Sequence, residues 1–279
     1  MGGMMEQKEA ILRLLRDDDP VTLRLVKSQL ARPGASALEN LRMLLDGADV
    51  VTAAHLRDII AEIKEREAGE LFGEFCETFG DQGDLEDAAW RIASTLSPSE
   101  DFAQARETLD RWGAEVARRL AEAKTPLDRV ETLAEFLGDE IRLRGNEEDY
   151  YNINNSLLPE VIGTRMGIPI SLSLVYILVG QRAGVHVDGV GLPGHFIVRH
   201  REHFFDPFHG GRPVGLHECR AMLERQGMSL TAAHLQPVPP RFMLIRMLAN
   251  IHALADESDP PLAARLAGWI EALRQRGGS

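Results

Sequence analysis

The sequence has only two cysteines, Cys76 and Cys219. Secreted domains held together by disulfides carry more of them, in even sets, so a disulfide framework is excluded and a reducing, cytoplasmic setting is expected. No run of Lys or Arg appears, and the formal net charge is −12. An acidic chain without a basic stripe repels a phosphate backbone, so no nucleic-acid partner is expected. No window approaches 18 uncharged apolar residues, which excludes a helical membrane span. The start, Met1-Gly2-Gly3-Met4-Met5-Glu6, has neither a basic opening nor an apolar stretch and does not read as a signal peptide.

What is present is mostly helical. Ile11, Leu12, Leu14 and Leu15 begin an apolar stripe that stops at Asp17-Asp18-Asp19-Pro20. Asp19 is placed to cap the next helix, with Pro20 at its first position, where no intrahelical donor is needed. That helix reaches Pro33-Gly34. The phrase Leu12–Asp17 then recurs as Leu41–Asp46, with Val21 and Val51 at similar offsets. Helical pairs repeated in this way fit a HEAT-type solenoid, and a plain helical bundle fits equally well. Further helices are expected over 51–66, 68–79, 84–96, 99–123 and 126–143, with Thr125-Pro126 opening the last. Trp90, Trp112 and Trp269 fall on helical stripes and read as core.

The texture changes at Arg144-Gly145-Asn146. A polar, aromatic loop containing Tyr150 and Tyr151 follows, then a helix from Leu157 to Met166-Gly167. An apolar helix over Leu172–Ala183, entered through Pro169 and closed by Gly184, comes next. Three β-rich runs, Val185–Leu192, His195–His200 and His203–Asp206, precede a turn at Gly210-Gly211. Helices return over 215–226, 240–255 and 260–276. The class is therefore α+β, mostly helical, with one small antiparallel sheet. The expected divisions are an all-α region over 1–143, a mixed core over 144–235 and a helical hairpin over 236–279.

The chemistry-bearing stretch is 194–208. A reversal centred on His200-Arg201 pairs residues whose numbers sum to 401. His195 then faces Asp206, Ile197 faces Phe204 and Arg199 faces Glu202 on one side. Phe196, Val198, His200, His203 and Phe205 take the other. An imidazole beside a carboxylate is how a general base is held in one tautomer and orientation. Five possible ligands, His195, His200, Asp206, His203 and His209, are close in sequence, but His200 and His203 fall on the face opposite His195. No metal site and no cofactor are therefore expected. A nucleophile would belong at the start of the preceding helix, where an anion is stabilised. Ser171 stands there, with Ser173 one step inside, and Ser171 taken alone is better explained as an N-cap. Asn155 suits either an oxyanion donor or a helix cap.

Six phrases carry a family resemblance: Arg144-Gly145-Asn146 with Tyr150-Tyr151, Asn155–Leu158, Arg165–Leu172, Gly189–Phe196 and Asp206–Gly211. Residues 145–211 resemble the SirB-type branch of the transglutaminase-like superfamily. The resemblance implies a papain-like fold, a helix packed on an antiparallel sheet, with the order nucleophile, His, Asp. It assigns His195 as base and Asp206 as its acid. Ser171 occupies the position where active members keep Cys. A hydroxyl is a far weaker nucleophile than a thiol near neutral pH. The expected function is a degenerate core that binds a protein or peptide partner as a scaffold. The alternative is a hydrolase or acyl transferase with a Ser171-His195-Asp206 triad, assisted by Asn155 or Ser173.

Overall fold

A computed structural model describes residues 9–16, 19–32, 35–98 and 100–275. The chain forms two compact units, one of residues 1–72 with 94–100, the other of residues 73–93 with 101–279. The boundary drawn from sequence at 143 does not coincide with a division between units. Residues 103–119 and 126–135 share a unit with the mixed core, because the helix over 103–119 lies along the apolar helix that starts at Pro169.

The first unit is helical. Helix α1 covers 9–14, α2 Pro20–Ala31, α3 Ala35–Leu45, and α4 Val50–Thr78 begins here. Asp19 caps α2 as expected, accepting from the backbone N–H groups of Val21 and Thr22, with Pro20 at the first position. Pro33-Gly34 and Asp17-Asp18 lie outside the described residues. Leu15, Leu41, Leu44, Leu56, Ile59 and Ile63 form the buried cluster of this unit. Leu15 and Leu44 hold equivalent places in the repeated phrase, and both are buried, whereas Val21 and Val51 are exposed. Where two helices over 51–66 and 68–79 were expected, α4 is continuous. Ala68-Gly69 does not break it, since an interior glycine costs a helix only about 1 kcal/mol.

The second unit contains α5 (Leu85–Leu96), α6 (Ala103–Arg119) and α7 (Pro126–Glu135), the last continued by a π-helical turn over Phe136–Glu140. Thr125 and Asp128 cap α7 reciprocally. Two short strands, β1 (Arg144–Gly145) and β2 (Met166–Gly167), pair in parallel around the aromatic loop and α8 (Leu158–Thr164). Helix α9 (Pro169–Ala183) is the centre of the unit. It is apolar nearly all round and buried along almost its whole length, as a core helix should be. Gly184 ends it with φ +73°, a left-handed cap that glycine adopts without a Cβ clash.

The sheet runs β3 (Asp188–Leu192), β4 (His195–His200), β5 (His203–Asp206) and β6 (Arg212–Val214) in that spatial order, all antiparallel. β6 was not anticipated, since Pro213 and flanking glycines disguise a three-residue edge strand. Helix α10 (Leu216–Glu224) covers one face, where Val190, Leu192, Ile197, Phe204 and Val214 meet Cys219 and Leu223. The face bearing Phe196, Val198 and Phe205 is buried, with α9 packed against β4. Helices α11 (Pro240–Ser258) and α12 (Pro260–Gln275) pack on each other and complete the unit. Trp90, Trp112 and Trp269 are all buried. The fold is the expected one, mostly helical with a small antiparallel sheet.

Candidate active site

The hairpin β4–β5 turns at Arg201-Glu202, with Arg201 at φ +53°, rather than at His200-Arg201. Val198 faces Phe205, Arg199 faces Phe204 and His200 faces His203, so paired numbers sum to 403. The expected register is thus displaced by two residues. A displacement of two preserves the face of every side chain, because strand side chains alternate with period 2. His195 and Asp206 therefore still share a face, now as diagonal neighbours. Nε2 of His195 lies 2.9 Å from Oδ2 of Asp206. Since Asp206 occupies Nε2, the ring nitrogen left to serve as a base is Nδ1.

Asp206 is fully buried, and it ends β5 while opening a single 3-10 turn, Pro207–His209. Its Oδ1 accepts from the backbone N–H of Phe208 at 3.1 Å. That turn swings His209 back, so its Nδ1 reaches the same Oδ2 of Asp206 at 2.7 Å. Gly210 and Gly211, at φ +71° and +75°, then redirect the chain into β6. Burial pushes the Asp206 carboxyl upward, but the hydrogen bonds and charges of His195 and His209 outweigh it and hold the group below the usual carboxylate range. The side chain of His195 is 13% exposed and that of His209 45%, so the pair opens from the interior to the surface.

Two residues brace His195, Arg246 and Phe208. Arg246, on α11, donates to the carbonyl oxygens of His195 at 2.7 Å and Leu192 at 3.1 Å. Its guanidinium also lies over the Phe196 ring. Phe208 meets the His195 ring edge-on, with centroids 6.1 Å apart, and touches Tyr150 in the same manner.

Ser171 lies in the first turn of α9 and is 1% exposed. Its Oγ is 2.6 Å from the carbonyl oxygen of Asn155 and 3.1 Å from that of Ile168, and it accepts from the backbone N–H of Ile168 at 3.1 Å. The hydroxyl is thus engaged with backbone at the helix entry. Ser173 is fully buried and faces the carbonyl oxygen of Phe196 at 3.4 Å. Asn155 is no cap for α8, which begins after Leu157 without a side-chain cap. Its amide instead gathers the aromatic loop, donating to the carbonyl of Asp149 at 2.6 Å and accepting from Asn146 at 3.0 Å. Neither thiol stands at the start of α9: Cys76 lies in α4, and Cys219 is buried under the sheet against Ile197 and Phe204. Burial pushes Cys76 up to about 12 and raises Cys219 also.

The histidines divide as the strand faces require. Nδ1 of His200 donates to the carbonyl of His186 at 2.6 Å, and His203 lies 3.5 Å from Glu202. Neither joins His195. His209 does, and sequence reasoning assigned it no part in the site.

The sequence model described as the transglutaminase-like superfamily matches residues 103–249. The chain belongs to that superfamily. It is similar to a UPF0162 protein of Xylella fastidiosa strain Temecula1, 37% identical over 161 residues, covering 51% of this chain and 57% of that one. It is also similar to a UPF0162 protein of Pseudomonas aeruginosa, 30% identical over 187 residues, covering 64% and 68%. Human F-box only protein 21 is 32% identical over 130 residues, 42% of this chain but 20% of that protein. The match thus spans little more than half the length of the Xylella relatives. No solved structure matches significantly. Helix α9 on the β3–β6 sheet is consistent with the papain-like core of the transglutaminase-like superfamily. Among the described residues, no helix is long and apolar enough to cross a membrane.

Proposed function

We propose that this transglutaminase-like domain is a degenerate member that binds a polypeptide partner and does not cleave it. Within the superfamily we place it in the SirB-type branch, on the six phrases between Arg144 and Gly211. The observation that carries the reading is the state of Ser171. A triad serine needs its hydroxyl directed at the base, about 3 Å away. The Ser171 hydroxyl is buried, and its neighbours are Asn155 and Ile168 backbone atoms.

A cleft of about 840 Å³, which reaches the His–Asp pair through His209, gives the partner a place to lie. Its walls include Arg142, Arg144, Glu147, Glu148, Phe208 and His209. Charges of both signs around an aromatic ring suit a polypeptide better than a phosphate backbone, which rewards a single sign. The similarity to F-box only protein 21 supports a modular role, since the shared stretch is only a fifth of that protein.

The retained His195–Asp206 pair favours the second reading, a Ser-dependent hydrolase or acyl transferase. A fluorophosphonate probe separates the two. The binding reading expects no adduct at Ser171 or Ser173 on intact-mass and peptide analysis. Stoichiometric labelling at Ser171, abolished in Ser171→Ala and in His195→Ala, would establish the hydrolase instead.

A further inference from the structure

We infer that His195, Asp206 and His209 form a binding site for a divalent transition-metal cation. One ligand atom from each of His195, Asp206 and His209 can be chosen so that all lie within 4.8 Å of one another. Both rings address the same oxygen, Oδ2, at 2.9 and 2.7 Å. Two imidazoles and one carboxylate, each offering one atom toward a common point, are the donor set of zinc and related ions.

The fit is close without rearrangement of the fold. Bonds of about 2.0–2.1 Å place tetrahedral ligand atoms roughly 3.3 Å apart, so Asp206 must part from each ring by about 0.5 Å while ligand atoms now separated by up to 4.8 Å draw together. His209 ends a one-turn helix and is the most exposed of the three, so it can yield that distance. Asp206 cannot wander, being held through Oδ1 by the N–H of Phe208. The carbonyl of His195 is held by Arg246. Such outer contacts orient metal ligands in established sites.

The protons balance simply. Each ring now presents an N–H to Oδ2. On coordination that nitrogen gives its lone pair to the cation, and its hydrogen moves to the ring's other nitrogen or, from a doubly protonated ring, to solvent. Two or more coordination positions remain for water or a ligand. Two cavities border His209, one of about 190 Å³ shared with His195, Met222 and Gln226, the other the cleft of about 840 Å³. His200 and His203 are excluded by the strand alternation that turns them to the opposite face.

The test is calorimetric titration of chelator-treated full-length protein with ZnCl2, paralleled by Co2+ absorption spectroscopy. One cation per chain should bind, and Co2+ should give d–d bands of a low-coordinate nitrogen–oxygen site. His209→Ala, at an exposed position expected to fold normally by circular dichroism, should weaken binding by about 100-fold, the scale of losing one contributor to a small site. Asp206→Asn, which keeps the shape of the side chain, should do the same, while His203→Ala should change nothing. Absence of saturable binding, or equal affinity in His209→Ala and the unaltered protein, would overturn the site. Neither readout involves Ser171, so failure here is distinct from failure of the binding-module reading.

Discussion

The Ser171 hydroxyl donates to the carbonyl oxygen of Asn155 at 2.6 Å, tying the entry of α9 to the loop that carries Tyr150. This bond makes the serine a structural link between the central helix and one wall of the cleft. Ser171→Ala should therefore lower stability by about 1–2 kcal/mol, since it strips a buried carbonyl and a buried N–H of a partner. Urea unfolding monitored by circular dichroism measures this. Unaltered stability together with loss of a hydrolytic activity would reverse the assignment.

The buried carboxylate makes stability depend on pH in a definite direction. Asp206 is held below the usual carboxylate range once folded. A group depressed by folding contributes stability fully above its unfolded pKa and loses it as pH falls through the folded one. The acid limb of the unfolding curve should thus extend below pH 3.8. Asp206→Asn should flatten that limb, and thermal melts between pH 2 and 6 would show it. An unchanged limb would mean the carboxylate gains nothing from its two histidines.

The faces of β4 and β5 were legible because alternation survives an error of two residues. His195, Ile197 and Asp206 share a side whether the turn lies at 200–201 or at 201–202. The register itself was not legible, because Arg201 takes the left-handed conformation that a turn search expects of glycine or asparagine. His209 escaped for another reason. It lies beyond the strand, and strand reasoning cannot follow a chain that leaves the sheet. The signal was nonetheless present in Asp206-Pro207-Phe208-His209-Gly210: a capping acid, a proline at the first position and a glycine at the exit. In a 3-10 turn, residues three apart eclipse, which brings His209 over Asp206. Ser171 was legible as a residue of a helix entry, but only the folded chain reveals what its hydroxyl touches.

A third test concerns Gly138, in the π-helical turn. A Cβ built there would strike the carbonyl oxygen of Gly210, which is backbone and cannot rotate aside. Gly138→Ala should cost about 1–3 kcal/mol, the usual range for overpacking, and should displace the turn that carries His209. A chemical-shift change at the His209 ring, alongside the lowered melting temperature, is the expected result. A neutral effect on both would show that the two turns are not in rigid contact.

Arg246 offers a fourth. Burial lowers its pKa, and its charge is spent on the carbonyls of Leu192 and His195. Arg246→Met fills similar space but leaves those oxygens without their donor, so a loss of about 1–3 kcal/mol is expected. Because the bonds reach the backbone of His195, the variant should also move the ring resonances of His195 in NMR. A shift in stability without a change at His195 would reduce Arg246 to a packing residue.

The two-rung pairing of Arg144 with Met166 and Gly145 with Gly167 has a consequence beyond holding α8 in place. The chain departs and returns through the same narrow gate, so everything between is an insert closed at its neck. A change near Tyr150 nevertheless reaches β4, because the Phe208 ring touches both Tyr150 and His195. One wall of the cleft is therefore coupled through an aromatic ring to the histidine–carboxylate cluster that the sheet anchors.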